Sequence, residues 1–411
     1  MVNPRKSPCT NIHQHRDLTQ KVVRRFRSGA SIHSHTHFSK ENLGFIPFYA
    51  SRIPWVAGRV KGACERYRDR NGTDLDFTRA YWTPPLSPEE VWSSEVGQIE
   101  DELGMSALVS ITDHDSIDAP KSMEHRVPMS MEWTTPFMGG YFHLGVHNIE
   151  TGLEDEVARE LQRFTAGSSE YSASDLLFGL HHSRRTLVVI NHPLWDVERI
   201  GEEAHRTALQ AFLAEHHEFI HAFEINGFRP WAENLEVLRL GESWAMPVVA
   251  GGDRHGTAPN SVLNVTEAST MEEFAMEVRE DRISDVVLMP SYGDSLFTKQ
   301  LRTAGDAVQF YPQHLPHRRQ WTDRVFFEKH AGHVQPLSQY LTEGTPTWLK
   351  LVLMVVRGLG NSSLHRLMNS YSSSKKFTSP HRGVRRAYFL SAHEPFHALP
   401  YPTLNEEGDR Q

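Results

Sequence analysis

The stretch Ala30-Ser31-Ile32-His33-Ser34-His35-Thr36 closes a short apolar run on two histidines spaced two residues apart. In a strand, residues i and i+2 point to the same face, so a strand leaving the core here aims both imidazoles at one point. A second stretch repeats the arrangement: Met246 to Ala250 is apolar, and Asp253-Arg254-His255 follows it. Two such pairs, on the first and last strands of a closed sheet, would meet and hold metal ions. That pattern points to an enzyme.

The residues between the two stretches alternate strand-like and helix-like runs. The predicted strands are 30–33, 107–112, 127–133, 141–146, 187–191, 222–226 and 248–251, with a weaker one at 263–266. Most are continuous apolar runs, as expected of strands buried on both faces. Ser87-Pro88-Glu89-Glu90 reads as a capping box with proline at the first helical position, opening a helix to about Leu103. Thr270-Met271-Glu272-Glu273 reads as a second capping box. Helices are also predicted over 153–164, 173–182, 202–215 and 232–244. Alternation at this length argues for a parallel α/β barrel.

Barrel enzymes gather their chemistry at the carboxyl ends of the strands. Read that way, the strand ends supply His33 and His35, then Thr112-Asp113-His114-Asp115, Glu132, His143, Asn191-His192-Pro193, Glu224 and Asn226, and finally Asp253 and His255. Imidazoles and carboxylates without thiolates suit Zn, Mn or Fe. The order HxHT, TDHD, a lone Glu, His, HP and GxDxH resembles the PHP (polymerase and histidinol phosphatase) superfamily over roughly residues 30–260.

The resemblance implies a distorted (β/α)7 barrel, with a long insertion after its first strand and a mainly helical C-terminal extension. It implies two or three divalent ions. One would be held by His33, His35, Glu132 and Asp253; Glu132 would bridge to a second on His143 and His192; His114 and His255 would serve a third. The family usually places another Asp or His just past HxH for that third ion. Here the chain reads Ser39-Lys40-Glu41, and Lys40 is no metal ligand near neutral pH. Glu41 and His37 are the available substitutes. The implied reaction is cleavage of a phosphate ester of a small molecule or nucleotide by a metal-activated hydroxide, with Asp253, Glu132 and His255 as the catalytic set. Arg254, Arg229 and Lys40 are the candidates to hold the phosphate. A nuclease acting on nucleic-acid ends, and a metal-binding module without activity, are the alternatives.

Length and composition set the frame. The chain has 411 residues and a net charge of −8, so bulk charge does not favour nucleic acid as partner. Two cysteines, Cys9 and Cys64, make no thiolate cluster and suggest a reducing, cytoplasmic setting. Residues 1–28 read as a basic arm, 29–292 as the hydrolase barrel with 44–85 as an aromatic-rich insertion over the site, and 293–411 as the extension. The apolar run Trp348 to Val356 is too short to span a bilayer and reads as a buried helix, so no membrane partner is expected. Oligomeric state is left open.

Several histidines invite a plainer reading. His13-Gln14-His15 follows no apolar run and lies in the basic arm. His147 reads as a supporting or surface residue, Asp113 and Asp115 as ligand-orienting or turn-capping groups, and Glu224 and Asn226 as the polar rim of a cavity.

Overall fold

The computed structural model describes residues 7–18, 25–44, 46–52, 54–330, 333–341 and 344–360. Two five-stranded sheets build its core. The first runs β1 (Cys9–Gln14), β12 (Ile283–Leu288), β11 (Val262–Thr266), β2 (Ser28–Ser31) and β5 (Ser106–Val109). The second runs β10 (Val248–Gly251), β9 (Ala222–Asn226), β8 (Leu187–Ile190), β7 (Gly140–His147) and β6 (Met131–Phe137). The strands β8, β9 and β10 are buried along their whole length, which is why β8 and β10 are unbroken apolar runs and β9 departs from one only at Glu224 and Asn226. Trp133, Leu144, Ile190, Phe212 and Phe223 are fully buried members of the largest apolar cluster.

The expected single closed barrel is not formed as one continuous sheet. The two sheets approach each other at two seams, each an isolated bridge: Ser34 to Arg254, and His114 to Glu132. Backbone bonds reinforce the seams. Asp253 N donates to His33 O at 2.8 Å and His35 N to Arg254 O at 3.1 Å; Asp115 N donates to Glu132 O at 2.8 Å. The ladders stop here because the chain bends: His33 (φ 66°), Asp253 (φ 53°) and Asp115 (φ 48°) take left-handed backbone conformations.

The parallel expectation holds only in part. β2–β5 and β8–β9–β10 are parallel, but β6–β7 and β7–β8 are antiparallel. β11 also runs antiparallel to β12 and β2; in the second sheet β6 and β7 are joined by the two-residue turn Met138-Gly139, with φ of 48° and 80°, a hairpin geometry that suits the right-handed twist of strands.

Helix starts follow the sequence more closely. Ser87 and Glu90 form the reciprocal capping box of helix Pro88–Gln98, which widens into a π-turn over Ile99–Leu103 before Gly104 stops it in the left-handed region. At Thr270 only half the box forms. Thr270 Oγ1 accepts from Glu273 N, while the Glu273 carboxylate takes Ser269 N instead.

Three further expectations change. The basic arm contains β1, paired parallel with β12, and His13 Nε2 lies 2.8 Å from Asp285. The C-terminal extension carries strands as well as helices: β13 (Val325–His330) and β14 (His333–Pro336) join β4 (Ala80–Trp82) and β3 (Glu41–Asn42) in a third sheet, in the order β14-β13-β4-β3. The insertion 44–85 thus supplies β4 and the helix Pro54–Asn71, and is tied to the extension through β4–β13. Last, helix Thr347–Gly360 is not buried; Leu351, Met354, Val355 and Leu359 are among its exposed side chains. The polar tail 361–411 lies outside the described residues.

Candidate metal centre

The carboxyl ends of the strands converge on one carboxylate. Glu132, near the start of β6, is fully buried. Its Oε1 lies 3.1 Å from His33 Nε2, 3.3 Å from His143 Nδ1 and 3.5 Å from His192 Nε2. Its Oε2 lies 3.2 Å from His114 Nδ1 and 3.3 Å from His35 Nε2. Asp253 Oδ1 stands 3.5 Å from each of His33 Nε2, His35 Nε2 and His255 Nδ1. Among the described residues, four overlapping groups bring their donor atoms close enough to share an ion: His33–His35–Asp253, His33–Glu132–His192, His114–Glu132–His143 and His35–Glu41–His114–His255.

The donor atoms fit metal ions on two counts. Ligands about 2.0–2.1 Å from one tetrahedral ion lie about 3.3 Å from each other, which matches the spacings around Glu132. The inward atoms also lack hydrogen bonds: His33 Nε2, His35 Nε2, His143 Nδ1 and Glu132 Oε2 are buried without a hydrogen-bond partner. Buried polar groups are nearly always satisfied, so four orphans converging on one point mark a place for something else to bind.

The outward ring atoms are held. His33 Nδ1 is 2.6 Å from Glu224 Oε2, and His35 Nδ1 is 3.2 Å from Ser39 Oγ. Glu224 is steadied in turn by Asn226 Nδ2 at 2.6 Å and by His192 N at 3.3 Å. Asn191 Nδ2 donates to Glu132 Oε1 at 2.9 Å. Such supports fix ring orientation and the face each donor presents. Glu224 is therefore an orienting partner rather than rim polarity, and Asn191, singled out only as part of a strand-end motif, orients the central carboxylate. Asp113 accepts from Thr36 N and Thr36 Oγ1, pinning the turn after His35. His147 is buried behind the centre, bonded to Ser110 Oγ at 2.8 Å.

The stretch Ser39-Lys40-Glu41 splits. Glu41 joins the cluster, 3.0 Å from His255 Nε2 and 3.4 Å from His114 Nε2, and Ser39 Oγ donates to its Oε1 at 2.6 Å. His37 does not join it; its neighbours are Arg318, His314 and Glu90, and burial pushes its ring down to about 4. Lys40 lies over the Tyr81 ring at 5.6 Å, in a cleft it shares with Asn42, Arg79 and Glu328.

The other two cations also have partners. Arg254 is buried, with Nη1 on Glu95 at 2.5 Å and Nη2 on the carbonyls of Gly256 and Thr257. That correction has a clear cause: the residue sits at a seam between sheets, where a buried charge requires a counter-ion. Arg229 is clamped by both oxygens of Glu233 and lies 4.8 Å over the ring of Trp195, which meets His192 edge-on at 5.0 Å. Of the three, Arg229 is the one linked to His192 through the Trp195 ring.

Electrostatics follow from this crowding. Burial disfavours a charged imidazole, yet the surrounding carboxylates outweigh it: His35 rises to about 10 and His114 to about 9, and His33 rises as well. Burial likewise disfavours charge on Glu132 and Glu41, but the imidazoles hold both well below the usual carboxylate range. His143 goes the other way; burial dominates, and it falls to about 4. Access is one-sided. His33 and Glu132 are sealed, whereas the side chains of His114, His255 and Glu41 are 16 %, 17 % and 12 % exposed. Aromatic rings flank the cluster: Trp82 lies 6.2 Å from His255, and Tyr141 stacks on His143 at 5.0 Å.

No family model matches the chain, and no curated protein matches it. Among solved structures, it is similar to a candidate metal-dependent phosphoesterase from Bifidobacterium adolescentis, at 14% identity and a TM-score of 0.29, covering 57% of this chain and 90% of that one. It is also similar to an amidohydrolase from Chromobacterium violaceum, solved with sulfate and no metal, at 14% identity and a TM-score of 0.27, covering 42% of this chain and 83% of that one. Likenesses this distant carry no argument about activity. The chemistry rests on the chain's own residues, which form a buried cluster of imidazoles and carboxylates able to hold divalent metal.

Proposed function

We propose that residues 29–292 form a metal-dependent phosphoesterase, with β2 and β5 to β10 as a distorted seven-stranded ring closed at its two seams. One observation carries the reading: five imidazole nitrogens lie 3.1 to 3.5 Å from the two oxygens of a single buried carboxylate, Glu132. A lone structural site would need four ligands; five imidazoles with Asp253, His255 and Glu41 suit two or three ions. The N/O donor set suits Mn, Zn or Fe. His33, His35 and Asp253 would hold one ion, Glu132 would bridge to a second with His143 and His192, and Glu41, His114 and His255 would hold a third.

Bound ions would supply a Lewis acid for phosphoryl oxygens and a more acidic water. The remaining work falls to the chain. Glu224 and Ser39 fix the His33 and His35 rings; Asn191 fixes Glu132. His255 stands on the accessible side, with its Nδ1 3.5 Å from the buried Asp253 carboxylate. Arg229, already aligned by Glu233 over the Trp195 ring, offers a guanidinium for a phosphate that enters beside Trp195. The substrate class is a small phosphorylated molecule or nucleotide.

Metal analysis of purified protein, together with hydrolysis of an aryl phosphate, tests the reading. The double variant His33→Ala/Asp253→Ala should lose bound metal and activity together. Retention of both would overturn the proposal. Preference for labelled oligonucleotide ends over mononucleotides would move the substrate to nucleic acid.

A further inference from the structure

We propose that helix Thr347–Gly360 is a docking surface for a bilayer containing anionic phospholipid. The helix is apolar on both sides. Leu349, Val352, Leu353 and Val356 are half-buried, and the helix packs against Leu296–Val308. The opposite stripe, Leu351, Met354, Val355 and Gly358, follows the i, i+3, i+4, i+7 spacing of one helical face and is exposed. Met354 is 62 % exposed and Leu351 50 %. A contiguous apolar stripe presented to water marks a binding surface.

Charge identifies the occupant. The chain as a whole is acidic, yet between Glu343 and Glu394 it contains no Asp or Glu and eight cations: Lys350, Arg357, Arg366, Lys375, Lys376, Arg382, Arg385 and Arg386. Lys350 and Arg357 lie along one edge of the apolar stripe on the helix itself, Arg357 with its Nε donating to Val308 O at 3.0 Å. Exposed Trp55 lies 6.4 Å from Trp348 at the start of the helix, with the Arg59 guanidinium over its ring. An apolar helical face, flanking tryptophans and a run of cations together suit the headgroup boundary of an anionic membrane. Nucleic acid would satisfy the cations but leave the stripe uncovered. Among the described residues no helix is long and apolar enough to cross a membrane, so the contact lies in the membrane plane.

The full chain should float with phosphatidylcholine vesicles containing phosphatidylserine roughly tenfold or more better than with phosphatidylcholine alone, and high salt should remove the difference. The variant Leu351→Glu/Met354→Glu should weaken flotation by about tenfold or more while leaving circular dichroism and bound metal unchanged. Lys350→Glu/Lys375→Glu/Lys376→Glu should weaken the preference for phosphatidylserine by about tenfold or more. Equal binding to both vesicle types, or flotation untouched by Leu351→Glu/Met354→Glu, would overturn the proposal. Release of the protein from vesicles by a short oligonucleotide at equal charge would assign the surface to nucleic acid instead.

Discussion

Glu41 is the sharpest place to perturb this molecule. It is a carboxylate in a group with His35, His114 and His255, reached from the two-residue strand β3. The change Glu41→Gln keeps its shape and its bond from Ser39 but removes the charge. Two contacts lose their ionic character, to His255 Nε2 at 3.0 Å and to His114 Nε2 at 3.4 Å. Charge-assisted hydrogen bonds contribute roughly 1.5–3 kcal/mol each. Even an outer support costs about 10–100-fold in metal affinity, and a lost anionic ligand should cost at least about 100-fold. The ions on His33, Asp253, His143 and His192 should be spared, since Glu41 does not approach those groups. Competition with a graded chelator, followed by metal analysis, reads both affinity and number. One ion should fall out early and the rest hold as in the parent chain. In metal-free protein the His114 ring, lifted to about 9 by Glu132 and then Glu41 against its burial, should titrate lower in the variant. Full metal content at parent affinity, with an unmoved His114, would refute a ligand role for Glu41.

Other expectations concern the fold around the centre. In metal-free protein, raised imidazoles contribute stability that is complete below their unfolded value near 6.5 and is lost as pH rises through about 9 to 10, the values of His114 and His35. His143 at about 4 and His147 at about 3 act oppositely, removing stability as pH falls below about 6.5. Thermal melts in chelator should therefore peak near neutrality and decline toward pH 10, and added ions should reverse the alkaline decline; a flat alkaline limb in chelator would contradict the ring assignments. Arg254→Ala breaks a buried pair with Glu95 and should cost about 3–5 kcal/mol in urea unfolding, whereas a phosphate-binding role would raise KM at unchanged stability. Gly251→Ala would place a Cβ 1.8 Å from Glu224 Oε2, so Glu224 must leave His33; metal affinity should fall about 10–100-fold in chelator competition, and parent affinity would contradict the orienting role.

Much of the cluster was legible because strand ends announce themselves. His33, His35, His192 and Asp253 each follow an apolar run, although His33, His192 and Asp253 take left-handed backbone past the strand ends, and Glu132, expected to end a strand over 127–133, sits at the start of β6 instead. Glu41 was harder. It leaves the core after a turn, and its neighbour Lys40 drew attention because a cation cannot be a ligand. Its position depends on β3 pairing with β4, some forty residues downstream, which no local pattern encodes. Arg254 misled for the converse reason: position beside two candidate ligands says nothing of Glu95, whose partnership arises from tertiary packing. The hairpin β6–β7 hid in Met138-Gly139, where methionine takes a left-handed conformation that glycine or asparagine would have signalled. Helix Thr347–Gly360 shows the limit of hydropathy. An apolar sequence reports a preference for leaving water and does not name the partner that allows it.

The third sheet gives the centre a timetable. Glu41 sits on β3, β3 pairs with β4, and the other edge of β4 is completed by β13, which begins at Val325. The two large sheets draw on residues 9 to 288, so the sealed part of the cluster can assemble while the last quarter of the chain is still being synthesised. The accessible corner, with Glu41 and the Trp82 ring beside His255, waits for a strand made nearly three hundred residues after His33. Chain order alone places the inner ligands before the outer corner, since β13 follows every strand of the two large sheets. A nascent chain would thus carry the sealed imidazoles around Glu132 before it carries the partly exposed corner of Glu41 and His255.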